Sequence, residues 1–366
     1  MSLGKVQVNN LNLGQGDLPS LERHFLFIGR AGHADEESKL FSVNSQTDIE
    51  ADFKNGVLRD QLVAAQANAG QNWTGAAYCL AADEDWQDAV DRANETQSFE
   101  AVVLCDVLTT AAQIKAAHDK VFSLQAKLGR FVFVMIATAG INKTTQTWSD
   151  YEAAQAALVK DIAKHLVIPV PQLHGNNLGV LAGRLATRRA SIADTPMRTE
   201  TGPTLKLGAA PVDKNEKPLE LSTLGTLAKN RLSVPQWYPD LEGVYWGDGS
   251  TLDAKGGDYQ YIEHLRPVLK ASREVRILAI QRIGNRRLNS TPNSIEQHKT
   301  YFMTPLRRMS KTHTIGDDTF PGDIKPPKDG DISINWLTKK NVTIGMLVRP
   351  YSSGKEITVN LALDLK

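Results

Sequence analysis

The chain has 366 residues, of which 41% are hydrophobic and 23% charged, and a formal net charge of +1. That is ample material for more than one packed core, and the near-neutral balance argues against a general nucleic-acid binder. No run reaches the about eighteen apolar residues of a membrane span, Met1-Ser2-Leu3-Gly4 lacks a signal-peptide pattern, and Cys79 and Cys105 sit in apolar strand-like runs, as buried thiols do. The charge is segregated, −7 over residues 1–165 and +8 over 166–366. Two readings stand: chance separation of solvated faces, or an acidic half of one copy meeting the basic half of another.

In chain order, Lys5 to Leu13 comes first. Val6, Val8, Leu11 and Leu13 alternate with polar residues around the Asn9-Asn10 step, as in a half-buried strand with a bulge. Gly14, Gly16 and Pro19 form a hinge, so residues 1–19 read as an arm. A strand with no partner nearby in sequence must pair far away in its own fold or with another chain.

Residues 20–198 read as an α/β domain. The runs His24–Gly29, Ala76–Leu80, Ala101–Cys105, Phe131–Ala137 and Leu166–Val170 are near-continuously apolar, the mark of a parallel sheet covered on both faces. Between them, Thr109–Leu128 has helical spacing with Gly129 as its stop, and the acidic run from Asp83 to Asp88 suits a helix start. Ser149–Glu152 reads as a capping box ahead of Ala154, Leu158 and Ile162 on one face.

The signs of chemistry are thin. Gly29-Arg30-Ala31-Gly32 follows the first strand, where a phosphate loop would sit, but it lacks the third glycine and the Lys-Ser/Thr pair. Asp106 ends its strand and reads better as a helix-capping loop residue than as a catalytic group. There is no Gly-x-Ser-x-Gly, His-Glu-x-x-His or Cys-x-x-Cys, and the eight histidines are scattered. No catalytic, cofactor or metal residue is expected.

From Ile168 to Pro171 a strand ends in prolines, and a small-residue helix follows. Gly179 and Gly183 on that helix would let another backbone approach closely, while Arg184, Arg188 and Arg189 are either a solvated helix end or contact residues. Residues 199–240 are loop-rich, a seam or an insertion. Residues 241–366 read as an α+β domain. It opens with a short β segment, Gly243–Trp246, and a turn, Gly247–Ser250. A mainly helical run, Ile262–Ile283, follows. Ser294–Lys311 is amphipathic, with Ile295, Phe302, Leu306 and Met309 on one side and Arg307, Arg308 and Lys311 on the other; Pro305 should kink or restart it. Asp331–Trp336 and Val342–Ile344 alternate as strands, and Tyr351–Gly354 reads as a hairpin turn into Lys355–Leu365. There Ile357, Val359, Leu361, Leu363 and Leu365 share one face.

Two stretches carry a family resemblance. Gly243, Trp246, Gly247, Ser250, Thr251 and Leu252, with Tyr259 or Tyr261 and a helix behind them, resemble the Trp-Gly…Thr-Leu block of contractile tail sheath proteins of phages and phage-like injection machines. The arginine that the family usually carries before Thr-Leu is replaced here by Gly249-Ser250. The Pro-rich loop and Leu181-Ala182-Gly183-Arg184-Leu185-Ala186, with Ile192–Pro196 beyond, loosely resemble a second block of that family.

The resemblance implies a parallel-sheet α/β domain and a C-terminal mixed domain ending in a β-hairpin, with extended terminal strands. It implies copies stacked as hexameric rings around a tail tube, contracting to drive that tube through a bacterial envelope. Neighbours would be joined by terminal strands, Val6, Val8, Leu11 and Leu13 at one end and Ile357, Val359, Leu361 and Leu363 at the other. Arg307, Arg308 and Lys311 would face the tube. Implied partners are further copies, the tube protein, and baseplate and tail-terminator proteins, in a virion tail assembled in the host cytoplasm, with no nucleic acid and no membrane at rest. Two alternatives stay open: another self-assembling tail or secretion-tube component, and a nucleotide-using α/β enzyme.

Overall fold

A computed structural model of the protein describes residues 21–30 and 37–359. The elements of the first part run β1 (Phe25–Gly29), β2 (Lys39–Asn44), α1 (Ile49–Asp52), α2 (Val57–Ala69), β3 (Thr74–Cys79), α3 (Trp86–Thr96), β4 (Ala101–Val107), α4 (Ala111–Leu128), β5 (Phe133–Thr138), α5 (Trp148–Val159), β6 (Val167–Pro171) and α6 (Asn177–Ala186). The second part holds α7 (Leu221–Lys229), β7 (Pro235–Tyr238), β8 (Leu241–Trp246), α8 (Ile262–Ile280), α9 (Pro292–Met309), β9 (His313–Ile315), β10 (Asp318–Phe320), β11 (Ile332–Trp336) and β12 (Val342–Met346).

Six strands form one sheet in the order β2-β3-β1-β4-β5-β6. The five expected apolar runs are the five parallel strands, and β1, β5 and β6 are buried along their whole length because helices cover both faces. β2 is the antiparallel edge. Its side chains are mostly half-buried or exposed and give no apolar run, which is why the sequence does not announce it.

Local chemistry sets the helix ends. Gly129 stops α4 in the left-handed conformation (φ 64°), and Asp85 caps α3. Two capping expectations are corrected. Thr147 with Asp150, not Ser149 with Glu152, forms the box of α5, so the buried face is Trp148, Tyr151, Gln155 and Val159, while Ala154 is exposed. Thr110 with Gln113 caps α4, and Asp106 instead accepts from Arg30 at 2.6 Å.

α2 and α6 lie together over β1, β4, β5 and β6. Their approach is backbone to backbone: a Cβ added at Gly179 would lie 2.1 Å from the Gln61 carbonyl oxygen, and one at Gly183 2.3 Å from that of Ala65. The expected close partner of these glycines is therefore α2 of the same chain. Gln61 closes the contact, its side chain donating to Gln172 Oε1 and the Gly175 carbonyl and accepting from the Gly179 N–H.

The Trp-Gly block proves to be a crossing point. Leu252 extends the sheet beyond β6, its N–H donating to the Val167 carbonyl and its carbonyl accepting from Lys164. Trp246 is fully buried and donates to Ser233 Oγ at 2.9 Å, and the Gly247 N–H reaches the Val234 carbonyl. Gly249, in the family's arginine region, leaves the room that the Ile262 methyl occupies, since a Cβ there would meet it at 2.3 Å. The motif is thus explained by packing and backbone hydrogen bonding.

α8 belongs to two hydrophobic clusters. Its first half (Ile262, Leu265, Leu269) joins the core of the large sheet. Its second half (Ala271, Val275) joins a smaller core with Phe302, Met303, Leu306 and Met309 of α9 and with Ile332 and Ile334 of β11. α9 is one helix through Pro305, so of the expected kink or restart there is no restart. β11 and β12 pair as an antiparallel hairpin. The expected turn at Tyr351–Gly354 and the start of the strand after it are corrected, since residues 351–359 form no strand; the rest of that expected strand, residues 360–365, lies outside the described residues.

Candidate assembly interface

The C-terminal segment leaves the body along a fixed route. After β12, the Leu347 N–H donates to the Asp331 carbonyl and the Arg349 carbonyl accepts from Lys325, both at 2.8 Å. The Arg349 guanidinium pairs with the Asp331 carboxylate, which also accepts from the Lys328 N–H, and this pairing holds the Asp331 carboxyl below the usual range.

The chain then crosses to the Trp-Gly block. There the Lys355 ammonium donates to both oxygens of Asp248 (2.7 and 2.8 Å), pairs with Glu263 Oε1 (2.6 Å) and lies 3.5 Å from the centre of the Tyr261 ring. Burial pushes the Glu263 carboxyl up, and Asp248 adds to the rise against the opposing pull of Lys355. Two residues later Ile357 is 83% exposed, and Val359 is 78% exposed. A polar anchor thus sits immediately before an uncovered apolar alternation.

The basic end of α9 is the second surface. Phe302, Leu306 and Met309 face inward as the wheel predicts, and Arg307, Arg308 and Lys311 are exposed. Arg308 also forms an ion pair with Glu274 of α8 at 2.8 Å. The structure does not bring these cations near the Lys355 socket by any contact among the described residues.

Where doubly wound sheets bind ligands, the described side chains are paired with one another. β1 lies between β3 and β4, and at the ends of these strands Arg30 pairs with Asp106 and Glu84 takes hydrogen bonds from Ser38 and Tyr78. No cluster of three or more metal-binding side chains occurs among the described residues. His174 is held neutral, its pKa pushed down to about 4 by burial. Among the described residues no helix is long and apolar enough to cross a membrane.

Residues 3–250 match the family description "DUF2586, N-terminal domain", and residues 258–366 match "DUF2586, C-terminal domain". A protein of Haemophilus phage HP1 (strain HP1c1) named "Putative tail sheath protein" is 44% identical over 369 residues, spanning 98% of each chain. The chain belongs to the DUF2586 family of tail sheath proteins. As such it is a component of the phage tail.

Solved sheath structures share its fold. The sheath complex of an extracellular contractile injection system in its contracted state aligns over 99% of both chains with a TM-score of 0.60 at 14% identity. The helical sheath of the anti-feeding prophage, also contracted, aligns over 98% of this chain and 100% of its own with a TM-score of 0.58 at 13% identity. A sheath tail protein of Desulfitobacterium hafniense covers 93% of this chain and 96% of its own, at 0.55 and 10%.

Of the strand residues expected to link sheath subunits, Ile357 and Val359 lie in the described part, exposed and outside any strand. Val6, Val8, Leu11, Leu13, Leu361 and Leu363 lie outside the described residues. Of the basic trio near α6, Arg184 is buried, donating to the carbonyls of Pro196, Arg198 and Gly202, and so is no solvated helix end. Sequence reasoning missed the socket for Lys355. Its one signal was an acidic residue, Glu263, placed between the apolar positions Ile262 and Leu265 at a helix start.

Proposed function

We propose that this sheath protein is a mechanical subunit that polymerises as stacked hexameric rings around a tail tube and contracts by rigid-body rearrangement, its copies joined by exchanged terminal strands. The reading has no catalytic step. Its partners are other copies, the tube, and the baseplate and terminator proteins at the two ends of the tail.

The observation that carries it is the C-terminal run. Ile357 and Val359 open an alternation that continues in sequence to Leu365, and both are uncovered. An apolar strand face gains roughly 25 cal/mol per Å² when a partner covers it, and among the described residues β11 and β12 have no strand partner but each other, which leaves an edge of each for backbone pairing. Strand pairing along a ladder resists separation while leaving the segments outside it free to hinge, which suits a lattice whose subunits reorient without parting.

Electron microscopy of purified full-length protein, beside variants lacking residues 1–12 or 357–366, tests this. Wide tubes are expected from the full chain, and folded, non-polymerising protein from each truncation. A truncated chain that still forms tubes contradicts strand exchange.

A further inference from the structure

We infer that Lys355 is a mechanical anchor: it fixes where the C-terminal segment leaves the body and passes tension from a neighbouring copy into the N-terminal turn of α8 instead of into the β11–β12 hairpin. This rests on the proposed exchange of the C-terminal strand.

The route of the chain carries the argument. Residues 347–355 leave the small core of α9 and β11 and reach the Trp-Gly block, which belongs to the core of the large sheet. Without the anchor, a pull on residue 357 would run back to the Arg349–Asp331 pair and the backbone bonds of residues 347 and 349, which are made to Asp331 and Lys325 at the approach to β11, and through them to the end of β12. Among the described residues β12 has one hydrogen-bonded neighbour, β11, over five residue pairs. A two-stranded ribbon pulled at one end breaks its bonds one after another, and such a ribbon is marginally stable by itself.

The anchor is built differently. Asp248 and Glu263 hold one ammonium at three distances between 2.6 and 2.8 Å, with the Tyr261 ring against it. Charge-assisted hydrogen bonds of this kind are roughly twice as strong as neutral ones. Each partner is fixed in the body: Glu263 is 2% exposed, in the first turn of α8, and the Asp248 carbonyl accepts from Ser233 Oγ at 2.6 Å. All three bonds must break together for the segment to come away.

Substituting Lys355 alone would strand the buried Glu263 carboxylate and unfold the block, so the informative variant is Lys355→Met with Glu263→Gln, which removes the cation together with the more deeply buried of its two anions and leaves the more exposed Asp248. It is compared with wild type by thermal unfolding, by tube formation, and by hydrogen exchange of the Val342–Met346 amides in free and assembled protein. The variant is expected to unfold near the wild-type temperature and, as free protein, to protect β12 as wild type does. On assembly it is expected either to form no tubes or to form tubes in which β12 exchanges at least tenfold faster than in wild-type tubes. Tubes with wild-type protection of β12 would overturn the inference. If the double variant does not fold, Asp248→Asn, which keeps the Glu263 pair, is read by the same exchange comparison and the same two outcomes. Tube formation by the chain lacking residues 357–366 would instead defeat the strand-exchange reading beneath it, so the two failures are distinguishable.

Discussion

Arg266 on α8 and Glu100, just before β4, form a fork-to-fork ion pair (2.7 and 2.9 Å) in which the two side chains are 2% and 0% exposed. The same carboxylate accepts from the Arg23 N–H, the Arg23 side chain holds the carbonyls of Thr187 and Ala190, and Arg273, two turns further along α8, pairs with Glu22. α8 is thereby fixed to the starts of the central strands β1 and β4 before it enters the smaller core. Such a joint suits the proposed rigid-body movement of the subunit.

Removing one member of that pair leaves the other charged and buried. Arg266→Met is expected to cost about 3–5 kcal/mol, the usual penalty of breaking a buried pair. Glu100→Gln with Arg266→Met should recover much of that loss. Urea unfolding of the three proteins checks both, and equal stability of the single and double variants would contradict it.

The α2–α6 contact leaves no room for a methyl group. Gly179→Ala and Gly183→Ala should each destabilise by about 1–3 kcal/mol or more, as overpacking does. Gly225→Ala, on α7 with nothing near its would-be Cβ, should instead be neutral or slightly stabilising, because a helical alanine is preferred over glycine by about 1 kcal/mol. Thermal unfolding midpoints decide the comparison.

These glycines also show how far the sequence could be read. The spacing of Gly179 and Gly183 announced a close backbone partner, and five apolar runs announced five parallel strands, because full burial leaves a direct imprint on composition. α2 was not anticipated, since Gln61 and Ala65 become meaningful only once α6 lies on them. β2, a partly exposed edge, left no apolar run. At the C-terminus the alternation of Lys355–Leu365 was visible, but a period-2 pattern does not say whose sheet will cover it. Lys355 likewise found its partners more than ninety residues away in sequence, at distances that only the folded chain reveals.

His174 gives a pH prediction with a definite sign. Its folded pKa, about 4, lies below the ordinary 6.5, so between these values the unfolded chain binds more protons than the folded one. The stability that its neutral form contributes is therefore complete above about pH 6.5 and declines as the pH falls towards 4. Nuclear magnetic resonance titration should find the His174 midpoint near 4. His174→Gln should flatten the fall in stability over that window.

The exposed cations at the end of α9 make a salt-dependent prediction. If Arg307, Arg308 and Lys311 face the tube, Arg307→Glu with Arg308→Glu should reduce co-sedimentation with the tail tube severalfold at low ionic strength and much less at high, since exposed charges are screened over about 8–10 Å near physiological salt. Unchanged binding at low salt would remove these residues from the tube contact.

The account turns on where residues 357–366 go when copies assemble, and a cryo-electron-microscopy map of the polymer, with the chain traced through its terminus, measures that directly. The account predicts that the segment runs as a strand against the β11–β12 hairpin of an adjacent copy. A trace in which it folds back onto its own subunit, with no neighbouring chain reaching in, would contradict it.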